Sequence, residues 1–286
     1  MIGFIGLGVM GEPICRNLAK KSGEKVIGFD IDAAPLERLK GDGVQPASSV
    51  REVAERCTTV FLSLPGVSEV KTVCAGPGSL MLHLRAASYV IDTSTTTVAL
   101  ARDLSSRFSA RGVHFADAPV ARTREAAEKG TLSVMVGATE PIFNRLRPML
   151  ANIGTDITHC GPPGCGQATK LINNMVLFQN VVALAEALSL ARKVGLNPVK
   201  LFECLAKGSA DSFAVRNHGM KALLQDKFPE RAYAVEYALK DMQYLLDFAS
   251  QAGADLKGAK NAMAALERAA VAGHRKKYFP VLVKTV

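Results

Sequence analysis

Lys170, Asn173 and Asn174 are the residues whose types and spacing most directly suggest chemistry in this 286-residue sequence. They lie in GPPGCGQATKLINN, residues 161–174, where a glycine-rich turn leads into a long apolar segment. Side chains three and four residues apart share one face of a helix. A lysine that transfers a proton, beside amides that hold a substrate oxygen, would make this face catalytic. The segment alone leaves open a second interpretation, a solvated first turn capped by polar residues.

A second pattern, at the N-terminus, is typical of dinucleotide binding. The apolar run IGFI predicts a strand that leads directly into G-x-G-x-x-G, and a helix pattern follows. In this setting the backbone of the turn and the helix N-terminus bind a pyrophosphate. The predicted cofactor-binding residues of the turn are Gly6, Leu7, Gly8, Val9, Met10 and Gly11.

Asp30 ends the second predicted strand, KVIGFD. A carboxylate at this place hydrogen-bonds the adenine ribose and repels a 2′-phosphate. The next residues, Ile31, Asp32 and Ala33, supply no cation. The sequence therefore favours NAD over NADP as the cofactor.

Strand and helix patterns alternate through the first half of the chain and predict a doubly wound α/β sheet. Ligands of such sheets lie beyond the carboxyl ends of the strands. The candidates at those ends are Leu64, Pro65, Ser94 and Thr95. Beyond residue 161 the patterns are helical, near 167–194, 198–207, 213–224, 231–252 and 257–272. We expect a Rossmann domain over residues 1–161 and an all-helical domain for substrate binding and oligomerisation over 162–286.

Composition narrows the class of protein. The chain is 48% hydrophobic and 21% charged, as in soluble globular proteins, and carries a net charge of +9. Its basic residues are scattered, which favours small anionic ligands and argues against nucleic acid. Polar residues interrupt the apolar run 171–191, so we expect no membrane span. The six cysteines lack metal-ligand spacing, and no targeting segment is visible, so we expect free thiols, no metal and a cytoplasmic protein.

Four motifs together resemble the 3-hydroxyisobutyrate (β-hydroxyacid) dehydrogenase family over nearly the whole chain. They are FIGLGVMGEPI, DAPVARTREAAEKGTL, GPPGCGQATKLINN and Lys240-Asp241. The resemblance implies a Rossmann domain and an all-α domain joined by a long helix, as in 6-phosphogluconate dehydrogenase. It also implies reversible oxidation of a 3-hydroxy acid to a semialdehyde.

The same resemblance assigns roles by position. Lys170 matches the catalytic lysine, and Asn173 and Asn174 fall in the substrate-contact segment. The positions that match cofactor contacts are Leu64, Pro65, Thr95 and Lys240. A lysine partly excluded from water can accept the hydroxyl proton in one direction and return it in the other.

One motif departs from the family pattern. The family usually reads DAPVSGG, whereas this chain has Ala121, Arg122 and Thr123 after DAPV. A guanidinium at an anion-binding turn can form a bidentate contact with a carboxylate, sulfonate or phosphate. The Arg-Thr pair resembles the sulfolactaldehyde reductase branch, and Tyr233 falls where that branch has an aromatic residue near the substrate. Alternatively, Arg122 points to solvent and the backbone amides alone bind the head group.

These features predict an NAD-dependent oxidoreductase for a small anionic hydroxy acid or aldehyde. An imine reductase shares the architecture but usually lacks a lysine at position 170, and a non-catalytic dinucleotide-binding protein is the other alternative. Because the long apolar helix would leave much hydrophobic surface exposed in a monomer, we expect a homodimer or homotetramer.

Overall fold

The computed structural model describes residues 1–230 and 232–286. The chain divides into two compact units, Met1–Lys170 and Leu171–Val286. The first unit contains a nine-stranded sheet. Its strands are β1 (Ile2–Ile5), β2 (Val26–Phe29), β3 (Val44–Pro46), β4 (Thr59–Leu62), β5 (Tyr89–Asp92), β6 (His114–Asp117), β7 (Val120–Ala121), β8 (Leu132–Gly137) and β9 (Gly154–Gly161).

Strands β3, β2, β1, β4, β5 and β6 lie side by side in that order and are parallel. This is the strand order of the dinucleotide-binding fold, in which the direction of winding reverses beside β1 and opens a crevice at the carboxyl ends of the strands. The sheet predicted from the sequence is therefore confirmed.

Helices cover both faces of the sheet, so its central strands are apolar on both sides. Phe4 of β1 and Phe61 of β4 stack in one core, while Ile5, Val60 and Leu62 belong to the other. The helices of this unit are α1 (Gly11–Lys21), α2 (Ala33–Leu39), a 3₁₀ turn (Lys40–Asp42), α3 (Val50–Arg56), α4 (Val67–Ala75), α5 (Leu80–His83), α6 (Val98–Ser109), α7 (Arg124–Lys129) and α8 (Glu140–Leu150).

The far edge of the sheet differs from the sequence expectation. Alternating strands and helices imply parallel pairing, but HFADAPV forms two strands, β6 and β7, separated at Ala118 and Pro119, and β8 runs antiparallel to both. Proline lacks the N–H that an uninterrupted ladder requires. Strand β9, parallel to β8, was not predicted, because Thr155 and Asp156 are exposed and the strand has no apolar run.

The second unit is helical, as predicted. Helix α9 (Cys165–Lys193) begins before the division and continues through it. It is followed by α10 (Pro198–Leu205), a π-helix (Val215–Leu223), α11 (Val235–Gln251), α12 (Lys257–Ala269), a π-type turn (Ala270–His274) and a 3₁₀ segment (Phe279–Thr285). The helix predicted from residue 231 begins at Val235, and position 231 itself lies outside the described residues.

Candidate active site

The turn between β1 and α1 has the geometry of a dinucleotide-binding loop. Gly6 has a φ of +93°, and an added Cβ at Gly6 or Gly11 would overlap backbone oxygen atoms. An added Cβ at Gly8, by contrast, meets no atom within 4 Å, so the backbone there can be approached closely. Leu7 is buried, whereas Val9 is exposed and Met10 half-buried at the start of α1. This turn and the N-terminus of an 11-residue helix fit a pyrophosphate.

Asp30 follows β2 and is hydrogen-bonded to this turn. Its Oδ2 accepts the N–H of Leu7 at 2.5 Å, and its Oδ1 accepts the N–H of Asp32 at 2.9 Å. Asp32 in turn caps α2 through the N–H of Ala34. The carboxylate is therefore held at the carboxyl end of β2, where the sequence predicts the adenine ribose.

The arginines of α1 and α2 are paired with carboxylates. Arg38 donates to both carboxylate oxygens of Glu12, at 2.7 and 3.1 Å, and Arg16 donates to Glu12 and Asp42. The hydrogen bond from Arg38 is the main cause of the lowered pKa of Glu12. Arg38 is the first arginine after Asp30, and its guanidinium is already neutralised by Glu12.

The ends of β4 and β5 meet, as the sequence predicted. The N–H of Leu64 donates to Ser94 Oγ at 2.8 Å, and Ser94 is buried. Pro65 is exposed and Thr95 half-buried beside them. The fold therefore brings these four residues to one edge, and their contact with a cofactor stays a prediction.

Lys170 is buried, with 9% of its surface exposed, in the second turn of α9. The turn before Lys170 is held by two residues that were not predicted to belong to the site, Asp117 and Gln167. Asp117 accepts the N–H groups of Gly164 and Gln167, and the Gln167 side chain bonds the backbone of Ser94 and Thr96. Burial raises the pKa of Asp117 to about 6, although the N–H donors oppose this shift. Both residues lie in motifs that match the family, Asp117 in DAPV and Gln167 three residues before Lys170, and this position could have identified them as site residues.

Arg122 forms contacts that the sequence did not predict. Its guanidinium donates to the Thr131 carbonyl at 2.6 Å, to Thr155 Oγ1 at 3.1 Å and to Asp156 Oδ2 at 2.6 Å. Thr123 caps α7 through the N–H of Ala126, and Ala121 is half-buried in β7. A substrate that used the guanidinium would have to compete with Asp156, so the role of this segment in substrate binding stays a prediction.

In the second unit, a buried carboxylate joins several predicted site residues. Asp241 Oδ2 accepts the amide of Asn174 at 2.8 Å and a short hydrogen bond from the Tyr233 hydroxyl. Asn173 donates to Asn174 Oδ1 at 3.2 Å, and Lys240 forms an ion pair with Asp241 Oδ1 at 3.3 Å. Burial, and then Asp241, raises the pKa of Tyr233 well above its ordinary value.

Asp241 was missed as a site residue. Only Lys240 of the Lys240-Asp241 motif was predicted to be a site residue, but Asp241 is the more deeply buried of the two, at 3% exposed. Its position directly after Lys240, in a motif that matches the family, was the available signal.

Two further features bear on the class of protein. Among residues 1–230 and 232–286, no group of three or more His, Cys, Asp or Glu side chains could hold a metal ion. Over the same part of the chain, α9 is the one helix long and apolar enough to cross a membrane, with a mean hydropathy of 1.4. The buried core helix of a soluble protein can have the same length and hydropathy.

A Rossmann sheet with this turn, followed by a helical unit, defines a two-domain protein of the dinucleotide-binding class. Residues 1–161 match the NAD binding domain of 6-phosphogluconate dehydrogenase. Residues 164–286 match the NAD-binding domain of NADP-dependent 3-hydroxyisobutyrate dehydrogenase. The chain belongs to the 3-hydroxyisobutyrate dehydrogenase family, whose members are β-hydroxyacid dehydrogenases.

Individual relatives agree on the class of enzyme and differ in the substrate they are named for. The chain is 36% identical to 2-(hydroxymethyl)glutarate dehydrogenase of Eubacterium barkeri, over 86% of this chain and 81% of the relative. It is 36% identical to 3-hydroxyisobutyrate dehydrogenase of Pseudomonas aeruginosa, over 75% of this chain and 72% of the relative. The solved 3-hydroxyisobutyrate dehydrogenase of Mycobacterium tuberculosis with L-serine has a TM-score of 0.89 at 30% identity, over 99% of this chain and 98% of that one. The predicted oxidoreductase class is confirmed.

Proposed function

We propose that the protein interconverts a short 3-hydroxy acid, with a carboxylate or sulfonate head group, and its semialdehyde, using NAD(H) and Lys170 as the general acid/base. The observation that carries this proposal is the burial of Lys170 in α9, with Asn173 and Asn174 one turn further along the same helix. When bound, the nicotinamide supplies the hydride acceptor or donor.

The proton step follows from these side chains. Oxidation of the alcohol requires a base for the hydroxyl proton, and we assign this task to the Nζ atom of Lys170, whose side chain is buried. In the reverse direction the ammonium returns the proton to the developing alkoxide. An asparagine amide stabilises negative charge on that oxygen, and Asn174 is held in one orientation by Asp241.

A sulfonate or carboxylate head group is favoured by Arg122, as in the sulfolactaldehyde reductase branch that the Arg-Thr pair resembles. The Arg122–Asp156 pair lies at the surface, with side chains 37% and 57% exposed. Exposed ion pairs contribute about 0–1 kcal/mol. An anionic substrate can therefore replace Asp156 at small cost.

The preference for NAD rests on two observations. Asp30 is held at the end of β2, where a 2′-phosphate would meet its negative charge. Arg38, which could otherwise bind such a phosphate, is paired with Glu12. Both features favour a ribose with free hydroxyl groups.

Self-association is supported by α9. Its exposed apolar side chains include Ile172, Val176 and Leu190. Leu190 lies five full turns beyond Ile172, because 18 residues make five turns at 3.6 residues per turn, and Val176 lies about one turn beyond Ile172. All three share one face of the helix, which we assign to contacts between copies in a homodimer or homotetramer. The same proposal places the enzyme in the cytoplasm, which its six free thiols favour.

A substrate panel with Lys170→Ala tests the function. The panel contains short 3-hydroxy acids, hydroxysulfonates and their semialdehydes with both nicotinamide cofactors, followed by the absorbance of the reduced nicotinamide. We expect Lys170→Ala to lower kcat about 10²- to 10⁴-fold while NAD still binds. Lys193→Ala, at the exposed end of the same helix, is the matched control. A loss of less than about tenfold in Lys170→Ala would rule out the acid/base role.

A further inference from the structure

Asp117 and Gln167 form a buried clamp on the first turn of α9. Asp117 Oδ1 accepts the N–H of Gly164 at 2.7 Å, and its Oδ2 accepts the N–H of Gln167 at 2.8 Å. Gln167 Oε1 accepts the N–H of Thr96 at 3.0 Å, and its Nε2 donates to the Ser94 carbonyl at 2.8 Å. Both clamp side chains are 0% exposed, and all of these residues belong to the first unit.

The clamp satisfies groups that the helix itself cannot. The first N–H groups of a helix have no intrahelical acceptor, and leaving them buried without a partner is costly. A carboxylate at this end also complements the helix dipole. Gly166 allows the approach, since an added Cβ there would lie 2.7 Å from the Asp117 carbonyl oxygen. The start of α9 is therefore packed directly on the end of β6.

We propose that Asp117 and Gln167 are positioning residues, which set the place of Lys170 relative to the reacting oxygen. Lys170 lies three residues after Gln167, within a single helical turn, so a shift of the clamped turn moves its amine by a similar amount. A misplacement of about 1 Å can cost about 10²-fold in rate.

The clamp also relates the lysine to the predicted cofactor edge. Ser94, whose carbonyl accepts the Gln167 amide, receives the N–H of Leu64 on its hydroxyl. The amide of Gln167 thus connects the turn before Lys170 with the ends of β4 and β5. This inference rests on the proposed role of Lys170 as acid/base.

Gln167→Leu removes both side-chain hydrogen bonds at nearly constant volume. We expect kcat to fall about 10- to 100-fold, with KM and the dissociation constant of NAD changed less than about threefold. Asp117→Asn, which replaces one acceptor oxygen by a donor, should also lower kcat. Gln167→Glu keeps the acceptor for the Thr96 N–H and loses the donor to the Ser94 carbonyl. If Gln167→Leu does not fold, Gln167→Glu replaces it in the test, and we again expect kcat to fall.

Asn17→Leu is the matched structural control. Asn17 is also a buried amide of the first unit, and it donates to the carbonyls of Pro13 and Ala127 at 3.0 and 2.8 Å. We expect this variant to lose thermal stability as Gln167→Leu does and to keep its kcat. Equal loss of kcat in both variants, or unchanged kcat in the Gln167 variants, would overturn the clamp proposal. If Lys170→Ala retains turnover in the same series, the proposed acid/base role fails, which is a separate result.

Discussion

Arg122 donates to Asp156 across 2.6 Å from a backbone whose φ is +87°. The left-handed region costs a non-glycine residue about 1–2 kcal/mol, so the three hydrogen bonds of the guanidinium hold a strained residue after β7. The family pattern has glycine at this place, and glycine adopts this conformation without strain. Arginine at this position is therefore strained where glycine would not be, and it adds a charged group that pairs with Asp156.

Arg122→Gly should raise KM for an anionic aldehyde about 10- to 100-fold, because a hydrogen bond to a charged group is worth about 1.5–3 kcal/mol. The melting temperature should change little, since relief of backbone strain offsets the loss of an exposed ion pair. Steady-state kinetics on the substrate panel measure the first effect and thermal unfolding the second.

Asp156→Asn is the complementary variant. It weakens the competitor for the guanidinium, so KM for the same substrate should fall if Arg122 binds the head group. Unchanged KM in both variants would show that Arg122 serves only the local structure and that the backbone amides bind the head group.

Asp30→Asn tests cofactor choice. The amide can still accept the N–H of Leu7, but it no longer repels a 2′-phosphate or accepts ribose hydroxyls as a carboxylate does. We expect kcat/KM for NAD to fall about tenfold and the ratio of NAD to NADP efficiency to fall with it. Asp32→Asn, which alters the neighbouring cap of α2, should leave the ratio unchanged. A wild-type protein that prefers NADP would refute the role given to Asp30.

Tyr233→Phe removes the hydroxyl that donates to Asp241 and keeps the ring, whose centroid lies 5.8 Å from that of Phe178. Because Asn174 and Tyr233 share one carboxylate oxygen, the loss should loosen the asparagine and lower kcat/KM about three- to tenfold. Tyr278→Phe, a second buried tyrosine of the same unit, removes a hydroxyl bonded to His218 and should leave kcat/KM unchanged. A Tyr233→Phe enzyme as efficient as the wild type would remove Tyr233 from the site.

His218 makes the stability sensitive to acid. Burial lowers the pKa of His218 from 6.5 to about 4, and its Nδ1 is hydrogen-bonded to Tyr278 at 2.5 Å. As the pH falls from 6.5 to 4, the unfolded chain binds a proton that the folded chain excludes, so the free energy of unfolding decreases, by about 3 kcal/mol from this group.

His218→Phe removes that titration. Urea denaturation at a series of pH values measures the free energy of unfolding. Between pH 6.5 and 4 this free energy should decrease less in His218→Phe than in Tyr278→Phe, which keeps the imidazole. Identical pH dependence in the two variants would assign the acid sensitivity to other groups.

The local features of this protein were predictable from its sequence. The glycine turn before α1, the carboxylate Asp30 and the alternation of strands and helices depend on residue types at short spacing, and the fold followed them. The shared helical face of Lys170 and Asn174 is likewise a matter of periodicity. Strand β9 escaped prediction because an exposed edge strand needs no apolar pattern.

Contacts between distant residues were decided only by the tertiary structure. Gln167 meets Asp117 across 50 residues, Arg122 meets Asp156 across 34, and Asn174 meets Asp241 across 67. The sequence showed that Arg122 could bind an anion, but which anion lies within 3 Å depends on the packing of β7 and β9. A side chain's chemistry is a property of its residue type, whereas its partner is set by the elements that fold beside it.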